Sequence, residues 1–202
     1  MGQYWRRNTE TPIYYSAFCR FYDLVEHLVK KHPEDGANVM GCRHDYSLAA
    51  PLRRGHIRVA ELLFRYGADV SIQGTGKQVP LHIAVGWPND MAVGVVQFLL
   101  RHRADVGARD QDDNIPVHLA SYGIDLELVR ILLDHGANVS AEENRGQTPL
   151  HQVLGDKTYY SFEILFRVAR LLTERGADVN KTDKDHEFPL HLASRFLFLD
   201  VA

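Results

Sequence analysis

Residues 136–153 read GANVSAEENRGQTPLHQV. The stretch opens on a glycine suited to end a helix, because glycine adopts the left-handed conformation of a C-terminal cap without a Cβ penalty. It closes on Thr148 and Pro149, which together start one: threonine serves as N-cap, and proline at the first helical position gives up only an N–H that has no partner there. A polar connector separates the two signals. The same arrangement returns along the chain. GANV stands at 36–39, GADV at 67–70, RADV at 103–106 and GADV at 176–179, and these alternate with VPLHIA at 79–84, IPVHLA at 115–120 and FPLHLA at 188–193.

The spacing is as regular as the wording. From the first residue of the cap phrase to the next proline is 13 residues in four successive cases, 67 to 80, 103 to 116, 136 to 149 and 176 to 189. From the proline to the following cap phrase the distance is 23, 20 and 27 residues, so insertions of three and seven fall in the third and fifth units. These are close to one and two helical turns, as expected of a longer helix or a longer turn between helices. Within each unit a second helix is marked by an apolar stripe such as Leu128, Val129, Ile131, Leu132 and Leu133. Two short helices cannot bury their apolar faces alone, so such units stabilise one another by stacking.

These units resemble ankyrin repeats, which share the T-P-L-H-x-A phrase and a period of about 33 residues. The resemblance implies an all-α solenoid of helix-turn-helix units joined by finger loops, covering residues 1–202 as a single array. Its approximate repeats are 10–40, 41–73, 74–107, 108–140, 141–180 and a partial 181–202. The phrases DLVEHLVKKHPED and GHIRVAELLFRYGADV are further similar to arrays in large fungal proteins, in which repeats follow an NTPase module.

Departures from the pattern carry expectations of their own. The first unit is degenerate, with TPIYYSA at 11–17. In the second, Pro51 is tolerable only if the helix starts late enough to place it in the opening turn. Arg103 stands where glycine is usual, which predicts a strained cap. The ending HLASRFLFLDVA leaves an apolar helix, with Leu197, Phe198 and Leu199, that calls for a covering element.

Composition is that of an ordinary globular protein, 45% hydrophobic and 24% charged, with a net charge of −3. No overall basic field draws in nucleic acid or anionic lipid. Residues 1–100 carry 11 basic and 9 acidic side chains and residues 101–202 carry 12 and 17, so the acidity lies in the C-terminal half. Cys19 and Cys42 are too few for a disulfide framework and suit a reducing compartment. With neither a signal peptide nor an apolar run long enough to span a bilayer, the expected location is the cytoplasm, with the nucleus as the other compatible compartment.

Catalytic and metal readings fare poorly. His82, His118, His151 and His191 recur at one repeat position, and helices about 8–10 Å apart cannot share a zinc ion that needs nitrogens at about 2.0–2.1 Å. The resemblance implies a structural role for them, bonding within their own turn and to the adjoining repeat. GTGK at 74–77 lacks the first glycine and the final Ser or Thr of a phosphate-binding loop and follows a helix rather than a strand. The cluster NKTDKDHEF at 180–188 has no metal-binding spacing. The chain therefore reads as a non-enzyme with no cofactor and no metal.

A stacked array presents its loop tips and first helices as a concave surface, where a polypeptide partner would bind. The acidic tips Asp110, Asp112, Asp113, Glu142, Glu143, Asp183 and Asp185, with Arg109 and Arg145 among them, point to a basic or mixed-charge protein segment. Tyr15, Phe18, Arg53 and Tyr122 are the candidate anchors on the first helices, since aromatic and arginine side chains dominate hot spots. Trp87, Tyr159 and Tyr160 fall in the two insertions and are expected to pack there.

Overall fold

The computed structural model describes residues 13, 16–17, 21–31, 37–38, 48–86, 92–155 and 160–197, the side chains of Arg53 and residues 195–197 excepted. They are helical, with no strand among them, and divide into two compact units, one within residues 1–104 and one within 105–202.

In the first unit α1 spans Tyr22–Lys31, α2 Ala49–Arg53, α3 Ile57–Arg65, α4 Pro80–Gly86 and α5 Ala92–Arg101. The short first helices α2 and α4 pack side by side, and the second helices α1, α3 and α5 form the layer behind them. Pro51 is the third residue of α2, where no carbonyl within the helix awaits its missing N–H. Leu48, Leu52, Leu63, Leu81 and Leu99 fill the space between the layers and are fully buried. Behind them, the His102 ring stacks 3.8 Å from Phe64 and 4.5 Å from Phe98.

The second unit repeats the arrangement. Its first helices are α6 (Pro116–Tyr122), α8 (Pro149–Leu154) and α10 (Pro189–Leu197), and its second helices are α7 (Leu126–Asp134) and α9 (Phe162–Glu174). Here α8 packs between α6 and α10, while α7 and α9 pack on each other and on their own first helices. The fifth repeat's insertion appears partly as extra length in α9, which has 13 residues against 9 in α7. Truncating a core leucine such as Leu132 or Leu172, both fully buried, would cost about 2–5 kcal/mol.

Four of the second helices followed by the cap phrase end the same way. Ala68, Ala104, Ala137 and Ala177 donate their N–H to the carbonyls of Leu63, Leu99, Leu132 and Leu172 at 2.9–3.0 Å. The residue before each alanine takes a positive φ, 89° at Gly67, 89° at Gly136, 91° at Gly176 and 62° at Arg103. A Cβ at the three glycines would meet nothing within 4 Å, so the left-handed backbone alone selects glycine. Arg103 accepts that conformation at a cost of about 1 kcal/mol.

Candidate protein-binding groove

The finger loops can be aligned by counting back six residues from each helix-starting proline, which makes Gly74, Asp110, Glu143 and Asp183 equivalent. Each of these donates its N–H to the carbonyl four residues on, at 2.8 Å in the first unit's loop and 3.0 Å in the other three. The fourth loop position has positive φ throughout, 55° at Lys77, 61° at Asp113, 75° at Gly146 and 60° at His186. The closing bond and the left-handed fourth position are common to all four.

In the second unit the first loop residue also supplies a carboxylate that turns inward. Asp110 Oδ1 accepts from the N–H groups of Asp112 and Asn114, both at 2.9 Å. Glu143 Oε1 accepts from Arg145 and Gln147 at 2.8 and 3.0 Å, and Asp183 Oδ1 from Asp185 and Glu187 at 2.9 and 3.0 Å. Asp110 and Asp183 are only 6% and 5% exposed. Burial by itself raises the Asp183 pKa, but the N–H groups of Glu187 and Asp185 and the Gln147 amide outweigh it and hold the carboxyl below its ordinary value. These three acids hold the loops in shape.

Two of the repeated histidines fasten a helix start to the next loop. His118 Nδ1 accepts from the Ile115 N–H at 3.2 Å, and its Nε2 lies 3.0 Å from the Ala141 carbonyl. His151 Nδ1 accepts from the Thr148 N–H at 3.1 Å, and its Nε2 lies 3.2 Å from the Glu187 carbonyl. Thr148 occupies the N-cap, and its hydroxyl donates to His151 Nδ1 at 2.8 Å. Because Nδ1 accepts, Nε2 carries the proton and the ring is neutral. Burial pushes the pKa of both imidazoles below the ordinary value, and the carbonyls of Ala141 and Glu187 offset this only in part.

Neighbouring loops are joined as well. The N–H of Asn144 donates to the Asp112 carbonyl and that of Lys184 to the Arg145 carbonyl, each at 2.9 Å. Arg109 donates to the carbonyls of Asp113 and Glu142 at 3.0 and 2.9 Å. Glu142 pairs with Lys181 at 2.7 Å, and Lys184 Nζ donates to the Asn144 carbonyl at 2.7 Å. Arg109, Glu142 and Lys184 are thus engaged between loops, and Asp112, Asp113, Arg145 and Asp185 are the charged tip residues of this unit left exposed without an ion pair among the described residues.

Between these tips and the first helices lies a cleft of 670 Å³, lined by Asp112, Tyr122, Glu143, Arg145, Gln147 and Gln152 among others. Tyr122, at the end of α6, is 63% exposed. The cleft brings together Asp112, Tyr122, Glu143 and Arg145 from the candidate residues read in the sequence. Tyr15 and Phe18 lie outside the described residues, as do Trp87, Tyr159, Phe198 and Leu199; Arg53 lies in α2 with its side chain outside them. Tyr160 is 44% exposed. Sequence reasoning passed over Gln147 and Gln152 as lining residues. Their positions, two before and three after Pro149, are the signal that would have placed them on the concave side. Among the described residues no group of three or more His, Cys, Asp or Glu side chains is placed to hold a metal ion, and no helix is long and apolar enough to cross a membrane.

A second, apolar cleft of 590 Å³ runs between α8, α9 and α10, lined by Leu150, Leu154, Phe166, Phe188, Pro189 and Leu190 among others. Leu190 is equivalent to Leu81, Val117 and Leu150, which are 0–2% exposed, yet it is 73% exposed.

The family model for ankyrin repeats, in three copies, matches residues 81–183, just over half of the chain. The chain belongs to the ankyrin-repeat family, and its all-α helix pairs and finger loops are that family's fold. Ankyrin repeats generally serve as protein–protein interaction modules and are typically non-catalytic.

Proposed function

We propose that the chain is a non-catalytic module that binds a polypeptide partner through the concave cleft of the second unit. One observation carries the reading: a cleft of 670 Å³ is lined by the exposed Tyr122 and by the loop-tip charges of Asp112 and Arg145, whose side chains have no hydrogen bond or ion pair among the described residues. Such a rim matches a basic or mixed-charge protein segment, with steering that weakens as salt rises. The acidic balance of residues 101–202 argues against nucleic acid and anionic membrane as partners, and the expected setting is the cytoplasm or the nucleus. The test is affinity capture from the native source with the wild-type chain and with a variant carrying Asp112→Ser, Tyr122→Ala and Arg145→Ser. Loss of captured proteins from the variant is expected. Retention of every one of them would sink the reading.

The second reading, a structural or regulatory segment packing within a larger protein, for example beside an NTPase module, draws on the apolar cleft at α8, α9 and α10. Leu190 sits at a core position of the repeat and is open to solvent. Hydroxyl-radical footprinting of the native gene product is expected to show Phe166 and Leu190 protected if that reading holds. Labelling of both at solvent-exposed rates would dispose of it.

A further inference from the structure

The charges on the three finger loops of the second unit are not interchangeable, because the loop backbone assigns each position a separate task. The first position, Asp110, Glu143 and Asp183, accepts the loop's own N–H groups. At the second, Asn144 and Lys184 are bonded to the preceding loop. The fourth carries the left-handed turn. Only the third position, Asp112, Arg145 and Asp185, is exposed in all three loops with no side-chain hydrogen bond or ion pair among the described residues. Read across the loops, its charges alternate: negative, positive, negative.

Packed helices of successive repeats stand about 8–10 Å apart, and the loops they carry are joined by direct hydrogen bonds, so the third positions recur at about that interval. A polypeptide in the extended polyproline II conformation advances about 3.1 Å per residue with three residues per turn, so residues three apart lie on the same face, about 9 Å from one another. We infer that the row of third loop positions, of which Asp112 and Arg145 line the cleft and Asp185 stands on the next loop, selects an extended segment bearing a basic residue, an acidic residue and a basic residue at every third position, each opposite one of Asp112, Arg145 and Asp185. This rests on the reading that the cleft binds polypeptide, and it adds a register to it. A uniformly basic segment faces repulsion at Arg145, and a uniformly acidic one faces repulsion at both ends. Selectivity thus comes from the penalty on the wrong pattern as much as from attraction to the right one.

The experiment is a fluorescence-polarisation titration of the full chain with two labelled peptides of identical composition. In the matched peptide lysine, glutamate and lysine stand at every third position, separated by proline and serine to keep it extended; in the control the glutamate is moved next to the first lysine. The matched peptide is expected to bind tighter, and Arg145→Glu to weaken it up to about fivefold, the worth of an exposed ion pair. The same variant should tighten binding of a third peptide with lysine at all three positions. Arg145→Glu alters an exposed side chain, and an unchanged circular dichroism spectrum confirms that it folds. Equal affinity for matched and control peptides overturns the register and leaves the cleft as a binding site. If neither peptide binds, the register falls together with the cleft reading.

Discussion

The finger loop at residues 74–78 and those at 110–114, 143–147 and 183–187 share a backbone and differ in what holds it. All four close with the same N–H to carbonyl bond and a left-handed fourth residue. The three loops of the second unit add a carboxylate at the first position that accepts two N–H groups of its own loop. The first unit's loop has Gly74 there, has two left-handed residues, Gly76 and Lys77, and adds a longer 3.4 Å bond from the Gln78 N–H to the Thr75 carbonyl. The difference teaches that the acidity of residues 101–202 is partly structural. Three of its carboxylates are spent on shape before any partner arrives.

The hardest way to break the comparison is to remove one of those carboxylates. Asp110→Ala deprives two N–H groups of a charged acceptor and is expected to lower stability by about 2–3 kcal/mol, read from urea unfolding. A loss near zero would mean that the backbone turn alone holds the loop.

The histidines that join these loops to the helices give a second handle, through pH. His118 and His151 have folded-state pKa values below 6.5 because burial disfavours the charged ring. The unfolded chain therefore binds more protons than the folded one just below that value. Stability should be fully present above about pH 6.5 and fall as the pH drops, with a limiting slope of about 1.4 kcal/mol per pH unit for each histidine. Asp183 is shifted the same way for a carboxylate, so its contribution stands above the ordinary value of 3.8 and is lost as the pH falls through its lower folded value. Urea titrations at pH 7.5 and 5.5 check the histidine part, and His151→Gln should flatten the curve. A pH-independent midpoint would show that these rings titrate alike in both states.

The gentlest change sharpens the comparison by erasing it. Gly74→Asp installs the missing brace, and its φ of −92° is one that aspartate adopts freely. The gain expected is about 1 kcal/mol, from the new charge-assisted bonds and the lost freedom of glycine in the unfolded chain. Thermal unfolding of the two proteins side by side decides it, and a lower midpoint for the variant would contradict the role assigned to the carboxylate.

Much of the fold was legible because it is written in local backbone chemistry. Prolines 80, 116, 149 and 189 start first helices, and glycines 67, 136 and 176 end second helices, in each case through φ values that the residue itself favours. Arg103 in a glycine position and Pro51 in an opening turn follow from the same reasoning, whereas the double duty of His118 and His151, which reaches the adjoining repeat, was implied by the resemblance. Less of the candidate site could be read. Asp110 and Asp112 look alike in a sequence, yet one is buried against its own loop and the other stands at the cleft rim. Arg109 and Arg145 look alike as well, and only Arg109 is engaged by carbonyls of its own and the next loop.

The sequence by itself determined the repeat and the helix boundaries, because each depends on residues within a few positions of one another, and the return of one histidine at the same repeat position marked it as scaffold. The tertiary structure decided which charges remain available to a partner. That depends on bonds such as Arg109 to Glu142 and Lys184 to Asn144, between residues 33 and 40 positions apart, which stacking alone brings within reach. The exposure of Leu190 has the same origin: its pattern is that of a core residue, and only packing from a neighbouring element would make it one.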